Sequence, residues 1–243
     1  MRAFGFFLAA MLVAAPAAAD EPTPEPPSSV TRLAVPGNGD VFVVAPKSPQ
    51  ATQPIVLVLH ARNGDPEDDC KKWSEVASAY GWIVCPSGPI AAERGRSWGK
   101  FDDAKRAIDA SLDVVRAKLG ARVKSTGNAI IGFSEGALVA QVLGVREPEQ
   151  WTRWLILAGS DKYWGDRGLE FLQAQRRKIT RVVMLTGEHD PVLENTLRAG
   201  AWVRAAGISV RVIVRRGLGH DVPSDRMIAN YRRLLEWLFA STP

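Results

Sequence analysis

Ala129-Ile130-Ile131-Gly132-Phe133-Ser134-Glu135-Gly136-Ala137-Leu138-Val139-Ala140 is the stretch from which the rest of the chain is read. A short apolar run, the pattern of a buried strand, stops at Gly132-Phe133-Ser134-Glu135-Gly136. Small and apolar residues then follow as a helix ending near Gly144. A serine at such a junction sits at the tip of a tight strand-to-helix turn, its hydroxyl exposed at the sheet edge. Gly132 and Gly136 suit the turn because strand and helix pass too closely to admit a Cβ. The helix begins directly behind Ser134, so unpaired N–H groups and a partial positive charge face any negative charge that forms there. Alone, the pentapeptide is weak in a chain with 21 glycines. An acid and a histidine following in order would make it specific.

Upstream, Val30 to Val35 and Val41 to Ala45 flank Pro36-Gly37-Asn38-Gly39-Asp40 and read as a β-hairpin. Ile55-Val56-Leu57-Val58-Leu59 has the near-continuous apolar character of a strand buried on both faces of a parallel sheet. Asp65-Pro66 opens a helix, Asp as cap and Pro in the first turn, that runs to about Tyr80. Trp82 to Cys85 is the next strand, and an irregular loop from Pro86 to Lys100 carries Trp98. Ala104, Ile108, Leu112, Val115 and Leu119 recur at helical spacing up to Gly120.

Downstream, Arg153 to Ala158 is a strand, Leu169 to Lys178 a helix and Arg181 to Leu185 a strand ending in Thr186-Gly187-Glu188-His189-Asp190-Pro191. A further helix reaches Ala206, Ser209 to Val214 is the last strand, and Pro223 opens a final amphipathic helix. Strands alternating with helices from Ile55 onward predict an α/β fold: a mostly parallel sheet with helices on both faces and an antiparallel N-terminal hairpin. Ligands gather at the carboxyl ends of the strands in such sheets. His60, Ser134, Asp190 and His220 each follow a predicted strand and so share that edge.

The first residues stand apart. Arg2, the apolar run Phe4 to Val13 and Ala17-Ala18-Ala19 have the layout of a secretory signal over residues 1–19, cleaved after Ala19. The run is too short to span a bilayer, and no stop-transfer flank follows. The Pro-rich acidic stretch 20–29 reads as an extended tether, and 30–243 as one domain. The mature protein is therefore expected to be exported, periplasmic or secreted, without stable membrane anchoring. Thirty-one Lys and Arg against 26 Asp and Glu give a net charge of +5. The charges are interleaved, which is a solvated surface and not a nucleic-acid footprint.

The two cysteines, Cys70 in the first turn of a helix and Cys85 at the end of the next strand, both fall near the top of the sheet. In an exported chain they are expected to form one disulfide closing a loop of about 15 residues, worth roughly 3 kcal/mol. Neither has a metal-ligand partner at suitable spacing, and no cofactor is called for.

A serine hydroxyl needs a base, and the base needs a carboxylate to fix its tautomer. Three histidines are available. His220 lies in a Gly-rich loop after the last strand, where Gly217 and Gly219 let the ring swing over the sheet edge. His189 adjoins Asp190, and neighbouring side chains on a loop diverge; His60 is placed to brace its own loop. His220 is thus the preferred base and Asp190 the preferred acid, with Glu188 and Glu194 as fallbacks and Asp221 assigned to local loop contacts. Ser134, Asp190, His220 is the chain order of this sheet type.

On Gly132-Phe133-Ser134-Glu135-Gly136-Ala137, Thr186-Gly187-Glu188-His189-Asp190-Pro191 and Gly219-His220-Asp221, the chain resembles the α/β-hydrolase superfamily. The resemblance is to its compact carboxylesterase and dienelactone-hydrolase-like members and covers nearly all of Ile55 to Phe239. It implies a serine hydrolase with Ser134 as nucleophile, His220 as base then acid, and Asp190 as orienting carboxylate. It also implies an oxyanion hole from the N–H of Glu135 and a donor in the His60-Ala61-Arg62 loop, Arg62 ahead of Ala61. Members commonly carry His-Gly where this chain has His-Ala. Dienelactone hydrolases carry cysteine at the elbow, and Ser134 moves the chain toward esterases.

No long insertion separates Ala158 from Arg181, where large lids are carried, which favours small or exposed acyl esters. Trp98, Tyr163 and Trp164 fall in loops on the active edge and are candidates to line a substrate pocket. Acyl transfer and amide or peptide hydrolysis use the same three groups. A catalytically silent exported binding protein is the reading from a different class.

Overall fold

The computed structural model describes residue 1, residues 29–48, residue 50 and residues 52–240. The signal and tether segments lie outside the described residues, apart from Met1 and Ser29. Among the described residues, ten strands and six α-helices follow in chain order. The first strands are β1 (Thr31–Leu33), β2 (Val41–Val44) and β3 (Ile55–Leu59), then α1 (Pro66–Ala77), β4 (Trp82–Pro86), β5 (Ile90–Ala91) and β6 (Arg96–Ser97). Next come α2 (Phe101–Leu119), β7 (Asn128–Phe133), α3 (Glu135–Arg146), β8 (Trp151–Leu157) and α4 (Gly168–Gln175). The chain closes with β9 (Arg181–Gly187), α5 (Leu193–Ala205), β10 (Val210–Arg215) and α6 (Met227–Phe239).

Eight strands form one sheet in the order β1-β2-β4-β3-β7-β8-β9-β10, and β5 and β6 make a separate two-stranded hairpin. β1 pairs antiparallel with β2, and β2 antiparallel with β4; all other pairs in the large sheet are parallel. β3 and β7 are buried along almost their whole length, as their unbroken apolar sequence requires. One core lies on the face covered by α2, α3 and α5, the other under α1 and α6. Among the described residues no helix is long and apolar enough to cross a membrane.

Local chemistry sets the helix ends. The Asp65 carboxylate accepts the N–H groups of Glu67 and Asp68 at 2.8 and 3.3 Å, capping α1 with Pro66 in its first turn. α6 begins at Met227 and not at Pro223, because Arg226 is non-helical (φ −143°, ψ 60°) and the chain from Pro223 to Arg226 runs as loop and turn. The stretch expected to be irregular between Pro86 and Lys100 contains the β5–β6 hairpin, whose two-residue strands are too short to show periodicity. Cys70 and Cys85 are disulfide-bonded, Cα atoms 5.7 Å apart, and tie α1 to the end of β4.

Candidate active site

Ser134 occupies the junction of β7 and α3 with φ 52°, in the left-handed region that non-glycine residues rarely adopt. The turn is tight enough that a Cβ on Gly136 would lie 2.1 Å from the Leu59 carbonyl oxygen, and one on Gly132 2.5 Å from the Gly136 oxygen. The position of Ser134 thus depends on two glycines with no space for a methyl group. Hydrogen bonding in α3 starts with Leu138 N–H to the Ser134 carbonyl at 3.2 Å. The N–H groups of Glu135, Gly136 and Ala137 are left at the helix N-terminus, where anions are stabilised.

The serine hydroxyl lies 2.8 Å from Nε2 of His220, whose Nδ1 is 2.9 Å from Oδ1 of Asp190. With Nδ1–H donating to the carboxylate, Nε2 presents its lone pair to the Ser134 O–H. The Asp190 side chain is 1% exposed, and the Val192 N–H also donates to its Oδ1 at 2.9 Å. His220 is carried by the loop after β10, 35% exposed, with the Phe133 ring 5.1 Å away. The other candidates stand off. His189 is exposed, Glu188 accepts the Gly217 N–H, and Asp221 accepts the N–H of Val222.

The His60–Arg62 loop is pinned from below. His60 is 1% exposed and stacks on Trp98 with ring centroids 4.7 Å apart. Its Nδ1–H donates to the Ala61 carbonyl at 2.7 Å, and its Nε2 accepts the Gly88 N–H at 2.9 Å. The bond from Gly88 requires an unprotonated Nε2 and so the neutral ring, and burial pulls the pKa down from 6.5 to about 4 against the raising effects of the Ala61 bond and Glu135. The turn behind it closes with Gly64 N–H to the Ala61 carbonyl at 2.9 Å.

Glu135 has a role that pattern reading missed. Its carboxylate, 11% exposed, accepts the Ser97 hydroxyl at 2.9 and 2.8 Å, the Trp98 N–H at 3.0 Å and the Gly99 N–H at 3.4 Å. The Arg62 guanidinium approaches the same carboxylate at 3.4 Å. One acid in the first turn of α3, where the helix dipole favours it, therefore ties the loop after β3 to the loop before α2. Its sequence signal is an acid immediately after the elbow serine. Trp98 is drawn inward by the same bracket. It is fully buried, its indole N–H donates to the His60 carbonyl at 2.7 Å, and it is not among the walls of the cavity beside Ser134.

A cavity of about 360 Å³ opens beside Ser134, walled by Phe101, Leu138, Val139, Val142 and Tyr163, with Arg62 and Glu135 at its polar side. Tyr163 reaches this cavity; Trp164, 6% exposed, faces a neighbouring one instead. The arrangement can activate a hydroxyl, receive an oxyanion and hold an apolar group next to both.

The serine hydrolase (FSH1) family model matches residues 58–231. No curated protein matches the chain in sequence. Among solved structures, a ferulic acid esterase superposes with a TM-score of 0.65 at 15% identity, over 86% of this chain and 96% of that one. The Bacillus cereus carboxylesterase gives 0.61 at 14% identity, over 82% and 92%. Esterase PE8 gives 0.61 at 20% identity, over 81% and 97%. At these identities the likeness is one of fold.

Proposed function

From the premise that the chain belongs to the serine hydrolase (FSH1) family, we propose that it is an exported esterase cleaving carboxylic esters of small or solvent-open acyl groups through an acyl-enzyme. The observation that carries this reading is the relay Ser134–His220–Asp190, with contacts of 2.8 and 2.9 Å. His220 Nε2 takes the proton of Ser134 as Oγ attacks the ester carbonyl, and Asp190 holds the imidazolium. The negative oxygen is held by the Glu135 N–H and an N–H of the Ala61–Arg62 turn, in the helix N-terminal field. His220 then returns its proton to the departing alkoxide, which leaves as the alcohol. Water follows, giving a proton to His220 and its oxygen to the acyl carbon. Collapse frees the carboxylic acid, and the proton goes back to Ser134.

Export is supported by the charged, apolar and Ala-rich layout of residues 1–19, by the Pro-rich run 20–29, and by the Cys70–Cys85 disulfide, which persists in oxidising compartments. The domain then comprises 30–243, and N-terminal sequencing of the mature protein should begin at Asp20. The catalytic reading is tested by Ser134→Ala. Turnover of p-nitrophenyl acetate and labelling by a fluorophosphonate should both vanish. Undiminished turnover in that variant rules the assignment out.

A further inference from the structure

A second cavity, about 440 Å³, lies beyond the serine cavity and shares Val142 and Tyr163 as walls. The two also meet on the far side, where Arg146 of the second stacks 4.5 Å over the Phe101 ring of the first. Leu138, Val142 and Val145 form a half-exposed apolar stripe at i, i+4 and i+7 along α3, starting one turn from Ser134. Phe171 of α4, 41% exposed, faces the far end.

The divider between the chambers is a built wall. The turn carrying Tyr163 is bonded on one side to buried Gln141, which takes the Ser160 N–H at 2.9 Å and donates to the Ser160 carbonyl at 3.1 Å. On the other side Asp161 accepts Asn195 at 3.0 Å and Arg198 at 2.9 Å. Tyr163 itself remains 52% exposed on this anchored turn. An exposed aromatic on a fixed support, between two chambers joined by an apolar stripe, is how a surface receives an elongated apolar group without first ordering a loop.

We infer that the two chambers form one acyl groove, in which an unbranched apolar acyl chain runs from Ser134 along α3, past Tyr163, to Val145 and Phe171. This rests on the ester reading above and extends it from small acyl groups to medium-length ones lying open to water on one side. Leu138 to Val145 spans about 10 Å at about 1.5 Å per residue. An extended chain advancing roughly 1.25 Å per carbon covers that stripe with about eight methylenes beyond those that cross the turn from Ser134, so acyl groups of about ten carbons or more are the best fit.

The experiment compares p-nitrophenyl acetate with p-nitrophenyl decanoate. Each methylene leaving water on one side should raise kcat/KM about twofold, so decanoate, with eight more methylenes, should exceed acetate by about two hundredfold. Phe171→Asp, which sets a carboxylate in the far chamber, should lower the decanoate-to-acetate ratio about tenfold, and Phe171→Leu should retain the ratio. In parallel, a fluorophosphonate with an octyl chain should inactivate wild type faster than one with a methyl group, and Phe171→Asp should erase that advantage. Acetate cleaved as well as decanoate, with both probes reacting alike, overturns the groove and leaves the ester reading standing. No ester cleaved by a chain that the probes still label overturns the ester reading and the acyl assignment with it.

Discussion

Replacing His60 by Gln should remove a specific pH dependence from the stability of the fold. The ring is buried, bonded through Nδ1–H to Ala61 and through Nε2 to the Gly88 N–H, and burial holds its pKa at about 4. A proton on Nε2 would turn the acceptor of Gly88 into a second donor. The unfolded chain takes up that proton near pH 6.5, while the fold refuses it until about pH 4. The contribution is therefore fully present above the unfolded pKa and is lost as pH falls through this window. A displacement from 6.5 to about 4 corresponds to about 3 kcal/mol in the limit. Between about pH 7 and about pH 4.5 it amounts to roughly 2 kcal/mol.

Asp69 acts in the opposite sense. Burial raises its carboxyl pKa from 3.8 to about 6, so the fold holds that proton more tightly and gains stability as pH falls through the same range. The wild-type curve alone conceals both. Urea unfolding of wild type and His60→Gln, disulfide intact, at a series of pH values isolates the histidine by difference. The stability of wild type minus that of the variant should fall by about 2 kcal/mol from about pH 7 to about pH 4.5. A difference flat to within about 0.5 kcal/mol refutes the neutral, doubly bonded ring. Asp69→Asn should make the wild-type loss of stability on acidification steeper.

Three further outcomes follow from the site. Asp190→Asn should fold normally but lower kcat about 10⁴-fold, because an amide no longer fixes Nδ1–H on His220; a loss under tenfold in a steady-state assay would dismiss Asp190 as the orienting group. Glu135→Gln should cost about 2–3 kcal/mol in urea unfolding, since charge-assisted bonds to the loop at Ser97, Trp98 and Gly99 are lost. An unchanged midpoint would mean that this carboxylate does not hold the loops together. The double variant Cys70→Ser, Cys85→Ser should lose about 3 kcal/mol, and reducing wild type with dithiothreitol before unfolding should reproduce that loss.

The fold was legible because its signals are local. Ile55–Leu59 and the run into Gly132 are apolar on both faces, and each is followed by turn chemistry and a helical pattern, which suffices for a parallel sheet. Topology then carries the chemistry: a residue that ends a parallel strand lies at the carboxyl edge whatever its distance along the chain. Ser134, Asp190 and His220 could be grouped on that ground, and in the structure they lie within hydrogen-bond reach. Boundaries were less legible. The start of α6 at Met227 depends on the conformation of Arg226, and β5 and β6 are too short for a period to appear.

The walls of the site depend on a different kind of contact, and the case of Trp98 shows why. In sequence it is an aromatic in a loop at the active edge, indistinguishable from Tyr163. What separates them is a carboxylate 37 positions away, which receives the Trp98 N–H and turns its ring into the core. Tyr163 is held outward by comparable means, through Gln141 on α3 and the contacts of Asp161 with α5. These polar side chains bond across large sequence separations and leave no periodic trace. Ser134, His220 and Asp190 are therefore brought together by backbone topology, and the walls beside Ser134 are set by a few buried polar brackets. Exchanging a bracket should alter which esters are cleaved with less effect on whether any are. The absence of a long insertion before Arg181 favours short acyl groups by lid length alone, yet the stripe from Leu138 to Val145 offers burial without a lid. An anchored wall does for a medium acyl chain what closure does elsewhere, at the cost of leaving one side of the chain in water.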